Sequence, residues 1–457
     1  MNMPIVTIKG CSTVRPCEET WTGTMALSEW DQTGCLTHVT TIFFYGPPNT
    51  WLSAPSAIVD TLKLSLSRAL VPFYPLAGRL QWTGNGRLQL QCNAVGARFI
   101  EAECDSSLDD LAGDSYLSYQ PSNLFPSVDY SLPIQEVPLF LVQLTTFKCG
   151  GIGIGIANSH AVVDGAGAFY FISEWARLAR GKPLQAAPFL DRSVFRAGQP
   201  PLPTPPPSFD DYPQYKNFPL LLGQSDNSEE RNKKTTKAML RIMKSQMEHL
   251  RKMANDKPMA RGFSRYETIC GHMWRTACKA RGLKKEQPTS LIIVIDSRSR
   301  IRPQLPREYF GTATFDVIVQ SVVGDLLSKP LGFAANKVRE AIENVTNEYV
   351  RSGIELLKNQ NDLTKFQDIH KNGPPFYGNP NLEIVSWLSL PIHGFDFGWG
   401  KEENMGLGSH VSDGNSLLLP SFEEDGSIVV SICLQEVHMN AFKKHFYEDI
   451  KEICEYI

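Results

Sequence analysis

The chain has 457 residues, 42% of them hydrophobic and 20% charged, with a formal net charge of −3. One core rarely grows so large, so two domains of about 200 residues each are expected, and the charge gives no electrostatic reason to bind nucleic acid or an anionic membrane. No apolar run approaches the roughly 18 residues of a membrane span. The ten cysteines form no C-x-x-C pair and no zinc-spaced set with histidine, and read as thiols of a reducing, cytoplasmic compartment without a metal site.

Met1 to Lys9 lacks the regions of a signal peptide and reads as a first strand. Ile58, Leu62, Leu66, Ala69 and Leu70 recur at helical spacing, closed by Pro72 and Pro75. Leu88–Cys92 and Leu139–Leu144 alternate as strands do. From Gly151 to Ile156 glycine alternates with isoleucine, which suits close approach of another backbone or a ligand on the glycine face. His160-Ala-Val-Val-Asp164-Gly165 ends that run, and a helical stripe over 166–180 follows, stopped by Gly181 and Pro183.

Residues 186–232 lose all periodicity and hold six prolines between positions 200 and 207, as a crossover between domains would. Helices are then expected at 243–254, 265–281, 332–358 and 437–453, with strands near 236–242, 290–296, 313–321, 383–390 and 427–434. The pattern predicts an α/β protein with a domain over 1–185, a crossover loop over 186–232 and a second domain over 233–457.

His160 stands at the end of a strand-like run, where an imidazole can serve as a base near neutral pH. Asp164 either orients that imidazole or points away and holds the loop by pairing with an arginine. The spacing alone is weak: His445 and Asp449 repeat it on a C-terminal amphipathic helix, where they read as a surface pair. Asp396-Phe397-Gly398-Trp399-Gly400 follows a short strand ending at Pro391, and its glycines suggest a turn with unusual backbone angles. Asp396 reads as an architectural residue tethered to an arginine.

His160/Asp164/Gly165, Tyr309-Phe310-Gly311 and Asp396 to Gly400 resemble, in identity and order, the signatures of the BAHD acyl-CoA-dependent acyltransferases. Matching flanks include Leu27–Gln32, Phe73–Arg79, Arg265–Thr268 and Phe376–Leu382, so the resemblance spans nearly the whole chain. Ile172–Trp175, Asn344–Tyr349 and Lys443–Ile450 are similar to the subgroup of plant spermidine hydroxycinnamoyl transferases. The resemblance implies two chloramphenicol-acetyltransferase-like domains joined by a long crossover loop, with an active-site channel at their interface. It implies acyl-CoA as co-substrate and no permanently bound cofactor or metal; nothing in the sequence demands more than a monomer, which is the expected state. It further implies that Asp164 pairs with Arg298 or Arg300, and that Ser264, Arg265, Tyr309 and Thr312 line the CoA side. Val39, Thr41, Phe43 and Phe169 would face the acceptor, although Phe169 fits core packing equally.

Relatives that acylate organic acids carry an arginine at the position matching Ser389; a serine cannot make that bidentate contact. An amine or neutral alcohol is therefore the expected acceptor, spermidine first and an alkaloid amino-alcohol of the tropane type as the alternative. Glu402, Glu403 and Asp413 are candidate carboxylates along a polyamine track, or solvated loop charges. His160 would deprotonate the acceptor as it attacks the thioester. Trp399 Nε1 or a backbone N–H near Gly165 would donate to the oxyanion.

Overall fold

The computed structural model describes residues 4–33, 35–48, 55–112, 121–197, 228–256, 260–367, 378–408, 412–423 and 425–451. The proline-rich crossover from 198 to 227, Phe376 and Tyr377, and positions 452–453 of the last expected helix lie outside them.

In chain order the strands of the first half are β1 (Val6–Val14), β2 (Gly23–Ala26), β3 (His38–Tyr45), β4 (Arg79–Gly84), β5 (Arg87–Cys92), β6 (Ala97–Cys104), β7 (Phe140–Phe147) and β8 (Ile152–Ser159). The second half adds β9 (Thr235–Ile242), β10 (Pro288–Asp296), β11 (Thr314–Val322), β12 (Leu382–Ser386), β13 (Asn404–Leu407), β14 (Asn415–Pro420) and β15 (Ile428–Gln435). They form a sheet in the order β1-β6-β7-β8-β3-β13, a second in the order β11-β10-β12-β14-β15-β9, and a small sheet β2-β5-β4. By sequence β13 belongs to the 233–457 segment, yet it pairs with β3 at the edge of the first sheet.

Strand β8 shows how sequence positions the site. Ile152, Ile154 and Ile156 enter the core, leaving Gly153 and Gly155 on the other face. A Cβ on Gly155 would stand 2.6 Å from the Leu124 carbonyl oxygen, so the close neighbour there is another backbone. The chain turns after Ser159, and Asp164 caps the helix Gly165–Ala179 by accepting from the Gly167 N–H at 3.1 Å. Farther along that helix, Trp175 Nε1 donates to Ser65 of the helix Pro55–Ala69 at 3.0 Å.

The expected helix over 332–358 is two helices, Leu331–Glu343 and Asn347–Lys358. Thr346 between them takes extended backbone and caps the second through the Tyr349 N–H, a role β-branched hydroxyl residues favour over a helix interior. The strand expected over 383–390 stops at Ser386, because Trp387–Leu390 folds into a turn closed by Leu390 N–H on the Trp387 carbonyl.

Leu291, Ile293 and Ile295 of β10 share a core with the helices Arg265–Ala280, Leu331–Glu343 and Glu436–Lys451. Leu417, Leu419 and Val429 point to the opposite face and join a core with Phe43, Ile154, Phe169 and Trp175 of the first half. An apolar seam thus joins the halves, and His160 lies where β8 leaves it.

Candidate active site

Two segments fix the backbone of His160. Its N–H donates to the Thr37 carbonyl at 3.0 Å, and its carbonyl accepts from Thr312 Oγ1 at 3.4 Å. The side chain is partly exposed, and among the described residues nothing hydrogen-bonds its ring. Asp164 does not reach the imidazole. Its Oδ1 and Oδ2 each accept from Arg298 at 2.8 Å, and Oδ1 also takes Gly167 N–H and Oδ2 the Ala313 N–H. Burial alone would raise this carboxyl; Arg298 and the two N–H groups outweigh it and hold the pKa below the ordinary value. Arg300, the other arginine considered, instead donates to the carbonyls of Ile342 and Val345.

A second buried pair lies beneath the same turn. Arg192 Nη1 meets Asp31 Oδ1 at 2.6 Å, with both side chains at most 2% exposed. Arg192 Nη2 donates to the carbonyls of Val162 (2.8 Å) and Phe310 (3.2 Å). Asp31 Oδ1 accepts the Thr312 N–H at 2.9 Å. Neither residue stands out in the sequence: Asp31 lies in the Leu27–Gln32 flank and Arg192 in the crossover, where a charge usually reads as solvated.

His38, at the start of β3, also escapes sequence reading. Its Nε2 lies 2.8 Å from the Pro138 carbonyl, so that nitrogen must carry the proton, and Nδ1 lies 3.0 Å from the Tyr130 hydroxyl. Burial pushes its pKa down to about 4. With both nitrogens engaged and the ring neutral, His38 is a structural imidazole, in contrast to His160.

Asp396 folds the glycine–tryptophan turn. Its Oδ1 accepts from the N–H groups of Gly398 (2.8 Å) and Gly400 (3.1 Å), and Oδ2 from Arg180 at 3.1 Å. Gly398 and Gly400 have φ of 121° and 109°, which side chains resist. Trp399 stacks on Phe397 and meets Tyr45 edge-on, and its buried indole N–H has no acceptor among the described residues. The duplicate motif is also resolved: His445 pairs with Glu448 at 2.7 Å, while Asp449 reaches Lys279 at 3.4 Å.

Several expected positions are corrected. Tyr309 has no exposed surface and packs under the Arg298 guanidinium, so its side chain offers CoA nothing. Thr312 is 5% exposed and spends its N–H and hydroxyl on Asp31 and His160. Ser264 and Arg265 are not among these and stay at the surface, where Ser264 caps the helix Arg265–Ala280 in a reciprocal bond with Glu267 and Arg265 pairs with Glu248 at 2.5 Å. On the acceptor side Phe43 and Thr41 are buried, and Phe169 is sealed between Trp387 and Phe395; Val39 is half-buried. Glu402 accepts the N–H groups of Gly394 and Phe395, and burial raises its pKa. Asp413 is paired with Arg281 inside the second half. Neither is a solvated charge or free to meet an acceptor; Glu403 is exposed.

Ser389 is exposed in the turn after β12. That turn abuts the base loop, since a Cβ on Gly165 would lie 3.1 Å from Leu390 Cδ1. Two carboxylates not singled out by sequence lie on the second sheet. Glu383 alternates with the core residues Leu382 and Ile384 and so faces the first half; Asp316 shares that face across β10, opposite Val294 while Glu383 stands opposite Ile292. Burial, then the charge of Asp316, pushes the Glu383 pKa up to about 8.

Among the described residues no cluster of ligands could hold a metal ion, and no helix is long and apolar enough to cross a membrane.

Residues 4–449 match the model of the Transferase family. The chain is 45% identical over 456 residues to a hydroxycinnamoyl-CoA:piscidic acid hydroxycinnamoyltransferase of Actaea racemosa, covering 98% of this chain and 100% of that protein. It is 37% identical over 392 residues to a hydroxycinnamoyl-CoA:5-hydroxyanthranilate N-hydroxycinnamoyltransferase of Avena sativa, covering 85% and 86%. Its fold is similar to that of F. graminearum TRI101 complexed with coenzyme A and deoxynivalenol, with a TM-score of 0.73, 17% identity, and coverage of 92% and 97%. The protein is a two-domain α/β enzyme of the acyltransferase class, and it belongs to the Transferase family, the BAHD acyl-CoA-dependent acyltransferases. Acyl-CoA is its co-substrate.

Proposed function

We propose that the enzyme transfers a hydroxycinnamoyl group from its CoA thioester to a primary amine of spermidine, with His160 as general base, in the cytoplasm and as a monomer. The observation that carries the base assignment is the contrast between two side chains of one turn. The His160 ring has no hydrogen-bond partner among the described residues, while Asp164 is saturated by Arg298, Gly167 and Ala313. An imidazole so left available can take a proton from an incoming nucleophile.

The hydroxycinnamoyl donor is supported by the names of both relatives. An amine acceptor is supported by the neutral, exposed Ser389 beside the base loop and by the absence of lysine or arginine from residues 385–400. On the sheet face turned to the first half, the Asp316 carboxylate, whose charge helps to raise the Glu383 pKa, is of the sign a polyamine requires.

In the reaction the uncharged amine nitrogen attacks the thioester carbonyl as His160 takes its proton. The oxyanion would meet N–H groups at the first turn of the helix Gly165–Ala179 or the Trp399 indole, each donor contributing about 3 kcal/mol. Collapse breaks the C–S bond, and the imidazolium returns its proton to the departing thiolate. The CoA side would lie against the Ser264–Arg265 end of its helix.

A second reading, an organic-acid acceptor, is favoured by the 45% identity to the enzyme named for piscidic acid. The test incubates the protein and coumaroyl-CoA with spermidine, a tropane amino-alcohol or piscidic acid, and identifies products by mass. Coumaroyl-spermidine as the main product is expected. Ester formation with the acid, and none of the amide, would overturn the amine reading in favour of the second.

A further inference from the structure

We propose that Asp31 and Arg192 are positioning residues for His160, forming a clamp that sets the direction of the imidazole. The proposal rests on His160 being the base.

Three side chains from elsewhere in the chain hold the turn from His160 to Asp164. At one end Thr312 Oγ1 donates to the His160 carbonyl. At the other Arg298 holds Asp164 at 2.8 Å through each carboxylate oxygen. The middle is held by Arg192 Nη2 on the Val162 carbonyl at 2.8 Å. The same nitrogen reaches the Phe310 carbonyl at 3.2 Å, which ties the turn to the Tyr309–Thr312 loop. Asp31 closes the circuit. Its Oδ1 meets Arg192 Nη1 and the Thr312 N–H, and its Oδ2 is fixed by the N–H and Oγ of Ser28 at 2.8 and 2.7 Å.

A buried ion pair is a poor device for stability alone, because desolvation offsets most of its attraction and apolar residues of similar volume often serve as well. What this pair provides is geometry. Arginine presents several donors in a fixed plane, so one guanidinium meets a carboxylate and two carbonyls together, a spread that the single ammonium nitrogen of lysine does not reproduce. Since no described residue hydrogen-bonds the His160 ring, its direction depends on the backbone beneath it. A shift of about 1 Å in such a turn can cost on the order of 100-fold in rate.

The experiment is a double-mutant cycle of Arg192→Lys with His160→Ala, in the full chain, measuring kcat, the KM for coumaroyl-CoA and the thermal midpoint. Arg192→Lys is expected to lower kcat roughly 100-fold, with KM changed by less than about threefold and a cooperative transition retained. In the His160→Ala background the same substitution is expected to cost nothing further, because its effect passes through the ring. Equal losses in both backgrounds, or full kcat in folded Arg192→Lys, would overturn the clamp. Should Arg192→Lys fail to fold, Asp31→Asn replaces it; that variant keeps the shape and, through Oδ1, the acceptor for Thr312 while giving up the oxygen that accepts from the Ser28 N–H, and the same two outcomes decide. Activity retained by His160→Ala alone would instead refute the base assignment.

Discussion

Asp31 and Asp164 accept hydrogen bonds from two successive backbone N–H groups, Thr312 at 2.9 Å and Ala313 at 3.0 Å. Each carboxylate also holds its own buried arginine, Arg192 and Arg298. One dipeptide just before β11 is therefore gripped by two carboxylates of the first half, one of which, Asp164, ends the His160 turn.

Removing the charge of Asp164 leaves the buried Arg298 with the half-exposed Asp296, 3.2 Å away, as its remaining counter-charge among the described residues. Asp164→Asn should destabilise the fold by about 3–5 kcal/mol, read from denaturant unfolding at neutral pH. The sign of the pH effect follows from the lowered pKa. The contribution is present above the ordinary value of 3.8 and is lost as pH falls below it. Wild type should lose that increment on acidification and the variant should not.

Glu383 should act in the opposite sense. Its folded pKa is raised to about 8 from an ordinary 4.5, so the native state binds the proton more tightly than the unfolded chain. That contribution is complete below 4.5 and is lost as pH rises to about 8. Glu383→Gln should therefore gain thermal midpoint relative to wild type at pH 8 but not at pH 5. An equal change at both values would show that Glu383 is already ionised at pH 5.

The Asp396 turn needs backbone angles that a side chain resists. Gly398→Ala, at φ of 121°, should cost about 1–3 kcal/mol of stability, measured by thermal or denaturant unfolding. Asp396→Ala should cost about 1–2 kcal/mol by freeing two N–H groups.

Ser389 offers a test of acceptor choice. Ser389→Arg places a guanidinium beside the base loop, where it can grip a carboxylate with two hydrogen bonds. Turnover with piscidic acid should rise about tenfold or more and turnover with spermidine should fall, each such step being about 1.4 kcal/mol of binding to the transition state. Unchanged preference in product assays would place the acceptor elsewhere.

Much of this architecture is legible in the sequence because local patterns carry it. The isoleucine–glycine alternation of β8 and the stripe of the helix Gly165–Ala179 fix where His160 emerges. The break at Thr346 and the end of β12 at Ser386 are less legible, since a cap or a turn competes with continued periodicity there. The roles of Asp31, Arg192 and His38 are set by partners up to hundreds of residues away, and nothing in their immediate neighbours marks them as buried. Glu402 and Asp413 fail as acceptor groups for the same reason: sequence gives their charge, and only the fold gives Gly394, Phe395 and Arg281 as their partners.

The His160 imidazole, without a hydrogen-bond partner among the described residues, is the group proposed to carry the proton from a polyamine to the departing thiolate. The most direct measurement compares coumaroyl-spermidine formation by wild type and His160→Ala, with thermal midpoints taken on the same preparations. A loss of about 1,000-fold or more with an unchanged midpoint is predicted. A folded variant whose rate stays within about tenfold of wild type would contradict it.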